Sequence, residues 1–342
     1  MPRPTVNDIA EAAGVSLATV DRVLNARPGV REKTVSRVNA AIERLGYVRD
    51  VSAANLARQR RYRLVFVLPD APAQFVRTLR DAIVEATAPS VADRTEVRTI
   101  IVPHGNPHAL VKSLRALSSS DTDGIAIFAP ETPHVRDAIA RLRADGVSVV
   151  ALVSDLPNTE RDHFVGIDNI AAGRTAGFLM GKFLGNSGGS VMVLVNSLQE
   201  RDNAERRLGF DQVMSESFPH HEVLPSLESH GDEETTARIM KEVLSNRSDL
   251  RGIYSVGHGS RALLNVMRGQ EQRRQITLIG HELTEVTREA LREGLMDAVI
   301  SQNVGHVVRS ALRVLRAKSD GLDIMSSQER IRIEIVVREN LV

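Results

Sequence analysis

The sequence predicts an α/β protein in which an N-terminal three-helix domain precedes two doubly wound parallel-sheet lobes. From residue 63 onward, short apolar runs typical of buried strands alternate with amphipathic helix patterns. This alternation is typical of parallel sheets covered by helices on both faces. Before that point there is no strand pattern, and three amphipathic helix patterns follow one another. A chain of 342 residues is also too long for one compact core, so several domains are expected.

Composition and charge narrow the class of protein. Apolar residues make up 42% of the chain and charged residues 25%, as in ordinary globular domains, and there is no cysteine. Disulfides, thiol nucleophiles and thiolate metal sites are therefore excluded, and no cofactor is predicted. No apolar run could span a bilayer or serve as a secretion signal, which predicts a cytoplasmic protein. Residues 1–62 hold eleven Lys and Arg against six Asp and Glu. Such an excess suits phosphate binding, although many surface domains carry it with no nucleic-acid partner.

The first 45 residues contain a predicted helix pair joined by a tight turn. Thr5 and Asp8 form a capping-box pattern at the start of the first helix, Gly14 supplies the turn, and Ser16 caps the second helix. A third helix is predicted over 33–45. On the second helix, the side chains predicted to face outward are those of Leu17, Ala18, Asp21, Arg22 and Asn25. Such a pair can place one helix in the major groove of DNA, while a bundle that binds protein or nothing is the alternative.

Residues 5–48 resemble the head of the lactose-repressor (LacI/GalR) family. The resemblance is carried by Thr-Val-x-Asp-Ile-Ala-x-x-Ala-Gly-Val-Ser-x-x-Thr-Val-x-Arg-Val-Leu-Asn and a later Leu-Gly-Tyr-Val. It implies base contacts from Leu17, Ala18 and Arg22, phosphate contacts from Ser16, Thr19 and Asn25, and a DNA-binding set that also includes Thr5, Asp21 and Tyr47. Asp21 stands where the family usually has serine. It could repel phosphates, accept from cytosine N4, or pair with a neighbouring arginine, so the operator sequence stays open.

Residues 49–62 form a predicted hinge between the head, residues 1–48, and the body. Its alanine-rich composition favours a helix, although so short a segment is marginal alone. The resemblance implies a hinge helix that forms on DNA beside the partner subunit's. Asn55 and Leu56 would then bind DNA, with the leucine wedged into the minor groove. From composition alone, a solvated basic linker is the alternative.

The body, residues 63–342, shows eight strand-like runs and several helix-like stretches. The predicted strands are 64–68, 97–102, 125–128, 147–153, 191–195, 252–256, 276–279 and 298–300. The clearest predicted helices are 74–87, 133–144, 170–184 and 233–246. Two lobes fit this length, one over 63–166 and 303–322, the other over 167–302 and 323–342. Ligands of open α/β sheets bind beyond the carboxyl ends of the strands, so polar residues there are the candidates.

The body resembles the type-I periplasmic-binding-protein fold of the same family's effector domains. The motifs are Gly-Ile-Asp-Asn-x-x-Ala-Gly at 166–173, Arg-x-Leu-Gly-Phe, Gly-His-Glu at 280–282 and a closing Ile-Val-Val-Arg-Glu-Asn-Leu. The predicted effector-binding residues are Phe75, Asp155, Arg206, His258, Glu282 and Gln302, with Asp155 included because it follows a strand. Glu282 stands where most members have an aspartate, and His258 replaces a common asparagine. The effector is therefore open, although a pocket is expected.

Several of these residues also have purely structural interpretations. Asp168 could cap a helix, Phe75 could be core, and Arg206, predicted to begin a helix, could pair with Glu205 or Asp202 on the surface. Adjacent His220 and His221 suggest a metal only weakly, and no metal site is predicted.

The leading interpretation is a transcription regulator, a repressor, whose operator affinity responds to a small carbohydrate-like effector. A sugar, sugar alcohol or sugar acid is expected, together with a pseudo-palindromic DNA operator and a homodimer or dimer of dimers. Helices near 74–87 and 107–117 are the predicted interface. An enzyme acting on a sugar or nucleotide through Asp155, Glu282 and His258 is one alternative. A transport-type binding protein is the other. The sequence does not say whether the effector induces or co-represses.

Overall fold

The structure, a computed structural model, describes residues 4–24, 28–45, 47, 60–71, 74–88, 94–257, 260–270 and 275–341. The chain divides into two compact units, Met1–Arg60 and Arg61–Val342. Among the described residues, no helix is long and apolar enough to cross a membrane. Four residues with predicted roles lie outside the described residues: Asn25, Asn55, Leu56 and His258. Their roles stay predictions.

The first unit contains three helices, α1 (Val6–Ala13), α2 (Leu17–Leu24) and α3 (Glu32–Leu45). The predicted capping box begins α1, because the Asp8 amide donates to Thr5 Oγ1 over 3.4 Å and the Thr5 amide donates to the Asp8 carboxylate over 2.6 Å. Gly14 ends α1 with a φ of 60°, a left-handed conformation that is unstrained only for glycine. All three helices contribute to one small core, made of Ile9, Ala10, Ala13, Val20, Val38 and Ala41.

The second unit opens with a five-stranded parallel sheet in the order β2-β1-β3-β4-β5. Its strands are β1 (Tyr62–Asp70), β2 (Thr95–Pro103), β3 (Gly124–Ile127), β4 (Ser148–Leu152) and β5 (His163–Val165). The intervening helices are α4 (Gln74–Thr87), α5 (Pro107–Arg115) and α6 (Pro133–Ala144). Phe66 of β1 joins one core cluster and its neighbour Val67 another. Successive strand residues point to opposite faces, so both faces of the sheet are buried.

A seven-stranded second sheet follows in the order β12-β11-β10-β9-β6-β7, with β8 also paired to β6. Its strands are β6 (Gly189–Val195), β7 (His221–Val223), β8 (Leu227–Glu228), β9 (Leu250–Ser255), β10 (Thr277–His281), β11 (Ala298–Gln302) and β12 (Ile333–Val336). Its helices are α7 (Asn169–Leu184), α8 (Arg201–Ser217), α9 (Glu233–Asn246), α10 (Ser260–Arg268) and α11 (Glu285–Arg292). The chain then returns as α12 (Val304–Ser319), which packs against α4 and the first sheet. The chain therefore crosses between the sheets more than once.

The predicted fold class is confirmed, and each of the eight predicted strand segments overlaps an observed strand. Strands β5, β7, β8 and β12 were not predicted. They are two to four residues long, which is too short to show a recognisable apolar run. Short edge strands depend on the neighbouring strand for their hydrogen bonds, which a local pattern does not reveal.

The predicted helix bounds agree for α4, α6 and α9. Helix α7 begins one residue earlier than predicted, and α5 ends at Arg115 instead of residue 117. The prediction that Arg206 begins a helix is wrong. Helix α8 begins at Arg201, so Arg206 lies in its second turn, where the helix has already entered the core.

Candidate functional site

A cavity of about 1090 Å³ lies between the two sheets of the second unit. Residues that follow strands of both sheets line it. His104 follows β2 and Ser154 follows β4 in the first sheet, while Asn196 follows β6 and Glu282 follows β10 in the second. Parallel strands end at the same edge, which brings these loops together where open α/β sheets bind ligands. The cavity volume suits a small molecule.

Arg206 lines the cavity and is only 3% exposed. Its Nε donates to Asn169 Oδ1 over 2.9 Å, its Nη1 to the Val256 carbonyl over 3.2 Å, and its Nη2 to Glu282 Oε1 over 3.3 Å. A buried guanidinium needs such partners, because an unpaired charge inside a protein is costly. The alternative of a surface pair with Glu205 or Asp202 is therefore wrong. Glu205 pairs instead with Arg201.

Glu282 supplies the carboxylate beside Arg206. Its Oε1 also accepts from Gln302 Nε2 over 3.1 Å, whereas its Oε2 is buried and has no hydrogen-bond partner. Burial raises the pKa of Glu282, an effect that outweighs the lowering by the Arg206 guanidinium and the Gln302 amide. One oxygen of this cavity-lining carboxylate therefore has no hydrogen-bond partner among the described residues.

Backbone strain is concentrated at this cavity. Among the described residues, four that are not glycine have a positive φ, and three of these line the cavity: Val153, His230 and Glu282, with φ values of 63°, 52° and 65°. The left-handed conformation costs of order 1 kcal/mol or more for such residues, most of all for a β-branched valine. Strain of this kind is typical of ligand-binding loops.

A close approach of α7 and α8 positions Arg206. A Cβ added to Gly173 of α7 would lie 1.9 Å from the Arg206 carbonyl oxygen, and one added to Gly209 of α8 would lie 2.1 Å from the Ile170 carbonyl oxygen. Only glycine permits backbones this close. The contact brings Asn169, at the start of α7, within hydrogen-bond distance of the Arg206 side chain.

A buried tyrosine–histidine pair lies next to Glu282. Tyr254 Oη is 2.7 Å from His281 Nε2, and the Tyr254 ring stacks on Phe210 with centroids 4.4 Å apart. Burial, reinforced by the charge on Arg206, lowers the pKa of His281 well below its usual value, so its ring is neutral. If Tyr254 donates to Nε2, the hydrogen of His281 is on Nδ1, and only this Nδ1–H lacks a partner. In the reverse arrangement Nε2–H donates to Tyr254 Oη, and both the Nδ1 lone pair and the hydroxyl hydrogen lack a partner. The count favours a hydrogen on Nδ1.

In the first unit, α2 presents an exposed surface. Leu17 is 51% exposed, and Ala18 and Arg22 are also exposed. Ser16 lies just before this helix and its Oγ accepts from the Thr19 amide over 3.2 Å, as the predicted cap requires. The first turn of α2 is therefore held in place while its apolar and cationic side chains face solvent.

Comparison with known proteins agrees with both units. Residues 5–50 match the family described as bacterial regulatory proteins, lacI family, and residues 64–323 match the periplasmic binding protein domain. The second match covers more than half of the chain. This chain belongs to the periplasmic-binding-protein domain family and carries a lacI-family head.

Among curated relatives, the HTH-type transcriptional regulator DegA of Bacillus subtilis is 27% identical over 219 residues, which is 63% of this chain and 62% of DegA. The chain thus matches about three fifths of that relative's length. The HTH-type transcriptional repressor PurR of Serratia proteamaculans is 25% identical over 74% of this chain and 72% of PurR. A crystal structure of a glucose-galactose binding protein from Geobacillus stearothermophilus aligns with a TM-score of 0.73 at 18% identity, over 82% of this chain and 99% of that one. At that identity the structural likeness concerns the fold.

Within the periplasmic-binding-protein domain, two of the predicted effector residues are not on the cavity wall. Asp155 does not line the cavity. Arg161 binds both of its carboxylate oxygens, and its Oδ1 also accepts from the Leu156 amide, so its effector-binding role stays a prediction. Gln302 is 2% exposed and reaches the cavity only through Glu282. Phe75 lines the cavity and also packs in the core, so both of its interpretations agree with the structure.

Two other features singled out in the sequence make local contacts. Asp168 caps α7, since its Oδ1 accepts from the Ala171 amide over 2.9 Å. His220 and His221 both place Nε2 within 3.0 Å of the Gly185 carbonyl oxygen. Among the described residues, no group of three His, Asp or Glu side chains could hold a metal ion.

In the lacI-family head, two predicted DNA-binding residues also have structural contacts. Thr5 begins α1 through its capping box, and Tyr47 packs against the helix core while its amide donates to the Ile42 carbonyl over 3.0 Å. Asp21 is half-buried and has an interaction partner. The DNA-binding roles of these residues stay predictions.

Sequence reasoning missed several polar residues of the cavity wall, among them Asn196, Asn203 and His281. Each of these three is at most 4% exposed. The signal that could have found two of them was position, because Asn196 follows a strand and His281 ends one. Asn203 lies within a helix, and nothing in the local sequence distinguishes it from a surface residue.

Proposed function

We propose that the chain is a sequence-specific DNA-binding transcription regulator, a repressor, whose operator affinity is controlled by a small carbohydrate-like effector bound between the two lobes. The observation that carries the proposal is the buried Arg206–Glu282 pair, which leaves one carboxylate oxygen for a ligand in a chain that also has a lacI-family head. The similarity to DegA and PurR, which are named as transcriptional regulators, supports the DNA-binding part of the proposal. The glucose-galactose binding protein supports a carbohydrate ligand.

The cavity suits such control because residues of both sheets line it. A ligand that contacts both lobes changes the free energy of one arrangement of the lobes relative to another, and only such a difference can alter affinity for DNA. Asn55 and Leu56 in the hinge would transmit the change. The regulator would act in the cytoplasm, where its DNA is.

A dimer belongs to this proposal, since one head covers only half of a pseudo-palindromic operator. Helices α4 and α5 are the proposed interface. On α4, Val84 is 68% exposed, and a partner subunit at the proposed interface would cover its apolar side chain. Sedimentation velocity of the full chain measures the assembly, and a dimer or a dimer of dimers is expected.

The test begins with selection of DNA sites from a random duplex library by the purified full chain. Fluorescence anisotropy on the selected site, with and without a carbohydrate panel, then measures the control by effector. We expect one class of sugar to change operator affinity at least tenfold. Glu282→Ala should abolish that response and leave operator affinity within about twofold. A full response in this variant would remove Glu282 from the site.

The alternative of an enzyme has less support. Of the described acid–base groups proposed for it, Asp155 is bound by Arg161 away from the cavity wall. Glu282 remains, but its Oε1 already accepts from Arg206 and Gln302. We therefore propose binding without turnover. Sugar recovered unchanged after incubation with the protein is the expected result.

A further inference from the structure

We propose that Glu200 is a positioning residue that presents the amide oxygens of Asn196 and Asn203 to the ligand. The cavity then selects a small polar molecule rich in hydrogen-bond donors and rejects anions. This proposal rests on the proposed function, because it concerns the ligand of the same cavity.

Glu200 stands at the N-cap of α8 but makes no side-chain capping bond. Instead, its Oε1 accepts from Asn196 Nδ2 over 2.7 Å and its Oε2 accepts from Asn203 Nδ2 over 2.5 Å. An acidic residue at a helix N-terminus usually serves the free backbone amides. Here both carboxylate oxygens are used to hold two side-chain amides, one from the end of β6 and one from α8.

These contacts determine which way each amide faces. A carboxylate can only accept, so a rotated asparagine would place its Oδ1 against another oxygen and lose its bond. Both Oδ1 atoms are consequently turned away from Glu200, and both are buried without a partner. Asn196 and Asn203 are each 2% exposed, and both line the cavity. Buried carbonyl oxygens of this kind are normally satisfied, which points to a ligand as the missing donor.

Two other residues that line the cavity have an unpartnered oxygen of the same kind. Glu282 Oε2 and Glu131 Oε2 are likewise buried carboxylate oxygens without a hydrogen-bond partner. Glu131 belongs to the first sheet's side of the cavity and the other three residues to the second. A hydroxyl or ammonium group can donate to all four oxygens, whereas a carboxylate or phosphate would meet them with lone pairs. Of the predicted effectors, a sugar or sugar alcohol therefore fits, and a sugar acid does not.

The cationic groups of the cavity do not reverse this preference. Arg77, Arg201, Arg261 and His230 line it but are exposed, so water and salt screen any charge they carry. Arg201 is also paired with Glu205. Arg206 is buried and already has three acceptors, including Glu282. His104 Nε2 lies 3.7 Å from Glu200 Oε1, so the carboxylate offsets any positive charge on this ring. The buried surface thus offers mainly acceptors.

The test uses two series of sugars that differ in one group. One series is D-xylose, D-glucose, D-glucosamine and D-glucuronate, and the other is L-arabinose, D-galactose, D-galactosamine and D-galacturonate. Isothermal titration calorimetry of the full chain measures each affinity. We expect the tightest ligand to be a neutral or amino sugar, and the uronate of the same series to bind at least tenfold more weakly. A uronate that binds tightest would overturn the proposal, and so would the absence of binding by every member.

The Glu200→Gln variant distinguishes a change in asparagine orientation from a general structural defect. Glu200→Gln keeps the shape but faces one asparagine with an amide nitrogen, so that asparagine turns and presents its N–H to the ligand. We expect the neutral sugar to bind at least tenfold more weakly and the neutral-to-uronate affinity ratio to fall several-fold. A purely structural defect would weaken both ligands equally and leave the ratio unchanged. Glu216→Gln, an exposed residue of the same helix, removes the same charge and should change neither quantity by more than twofold.

Asn203→Leu is the second test variant, for use if Glu200→Gln fails to fold. It removes the amide at similar side-chain volume. We expect it to bind the neutral sugar at least tenfold more weakly than the wild type does. Unchanged binding in a folded variant would overturn the proposal. DNA binding by the same preparations, measured without sugar, reports separately on the proposed function. If the wild-type chain does not bind DNA, the proposed function as a regulator is contradicted. An unchanged neutral-to-uronate affinity ratio in Glu200→Gln contradicts only the role proposed for Glu200.

Discussion

The buried Arg206–Glu282 pair supports a quantitative prediction about stability. Arg206→Met removes the guanidinium, and Glu282→Met removes the carboxylate. The double variant removes both. Methionine is uncharged and unbranched, about as long as glutamate and shorter than arginine. The three variants form a double-mutant cycle that isolates the coupling between the two charges.

The contacts determine the expected size of each effect. Arg206→Met leaves Asn169 Oδ1 and the Val256 carbonyl without their donors, and leaves the Glu282 carboxylate buried without its cation. Removing one partner of a buried pair costs about 3–5 kcal/mol. We expect about 3 kcal/mol, the low end, because the raised pKa of Glu282 lets it take up a proton.

Glu282→Met should cost about as much, since Arg206 stays charged with two neutral acceptors. The double variant loses the same neutral hydrogen bonds but leaves no buried charge. We therefore expect it to lose about 4 kcal/mol, which is about 2 kcal/mol less than the sum of the single variants.

Urea unfolding of the full chain, followed by circular dichroism, measures the free energy of unfolding of the second unit. Arg268→Met and Glu293→Met form the matched control cycle, because that pair is 3.0 Å apart and about one third exposed. Its coupling should stay below about 1 kcal/mol. Additive losses in the Arg206–Glu282 cycle would refute the claim that these charges depend on one another.

Three further predictions concern other parts of the chain. Since folded His281 stays neutral while the unfolded chain takes up a proton below about pH 6.5, the free energy of unfolding should fall as pH drops from 7.5 to 5.5, by up to about 1.4 kcal/mol per unit from this residue. His281→Asn should remove that part of the slope in urea titrations, and an unchanged slope would show that another group is responsible. Gly173→Ala places a Cβ 1.9 Å from the Arg206 carbonyl oxygen and should cost about 1–3 kcal/mol, whereas Gly269→Ala, whose nearest atom is 3.5 Å away, should cost less. Equal losses would count against the helix contact. Leu56→Ala should weaken operator binding at least tenfold in anisotropy titrations with little change in unfolding, and retained affinity would contradict the minor-groove wedge.

Elements with strong local patterns could be predicted from the sequence. The capping box of Thr5 and Asp8 and the turn at Gly14 depend on residues a few positions apart, so local reading found them. Apolar runs such as Leu64–Leu68 found each long strand for the same reason. The four short strands escaped because their pairing partners are distant in the sequence.

The cavity was predicted less completely. Arg206 and Glu282 were named on the strength of a family resemblance, and the structure places them 3.3 Å apart. Asp155 follows a strand just as Glu282 does, yet Arg161 binds its carboxylate. Whether a residue after a strand faces the cavity or a neighbouring charge depends on contacts that are not local, and position alone does not distinguish the two.

The sequence by itself therefore determined the order of helices and strands, the basic head and the edge of the sheets where polar residues gather. These follow from periodicity, capping and charge, which act over a few residues. Only the tertiary structure decided which polar atoms meet and which are left without partners. Asn203 shows the difference, because its amide oxygen became a candidate ligand contact only when Glu200 was seen to hold its nitrogen. Burial is a property of the packed molecule, and it turns an ordinary asparagine into a group that needs a partner.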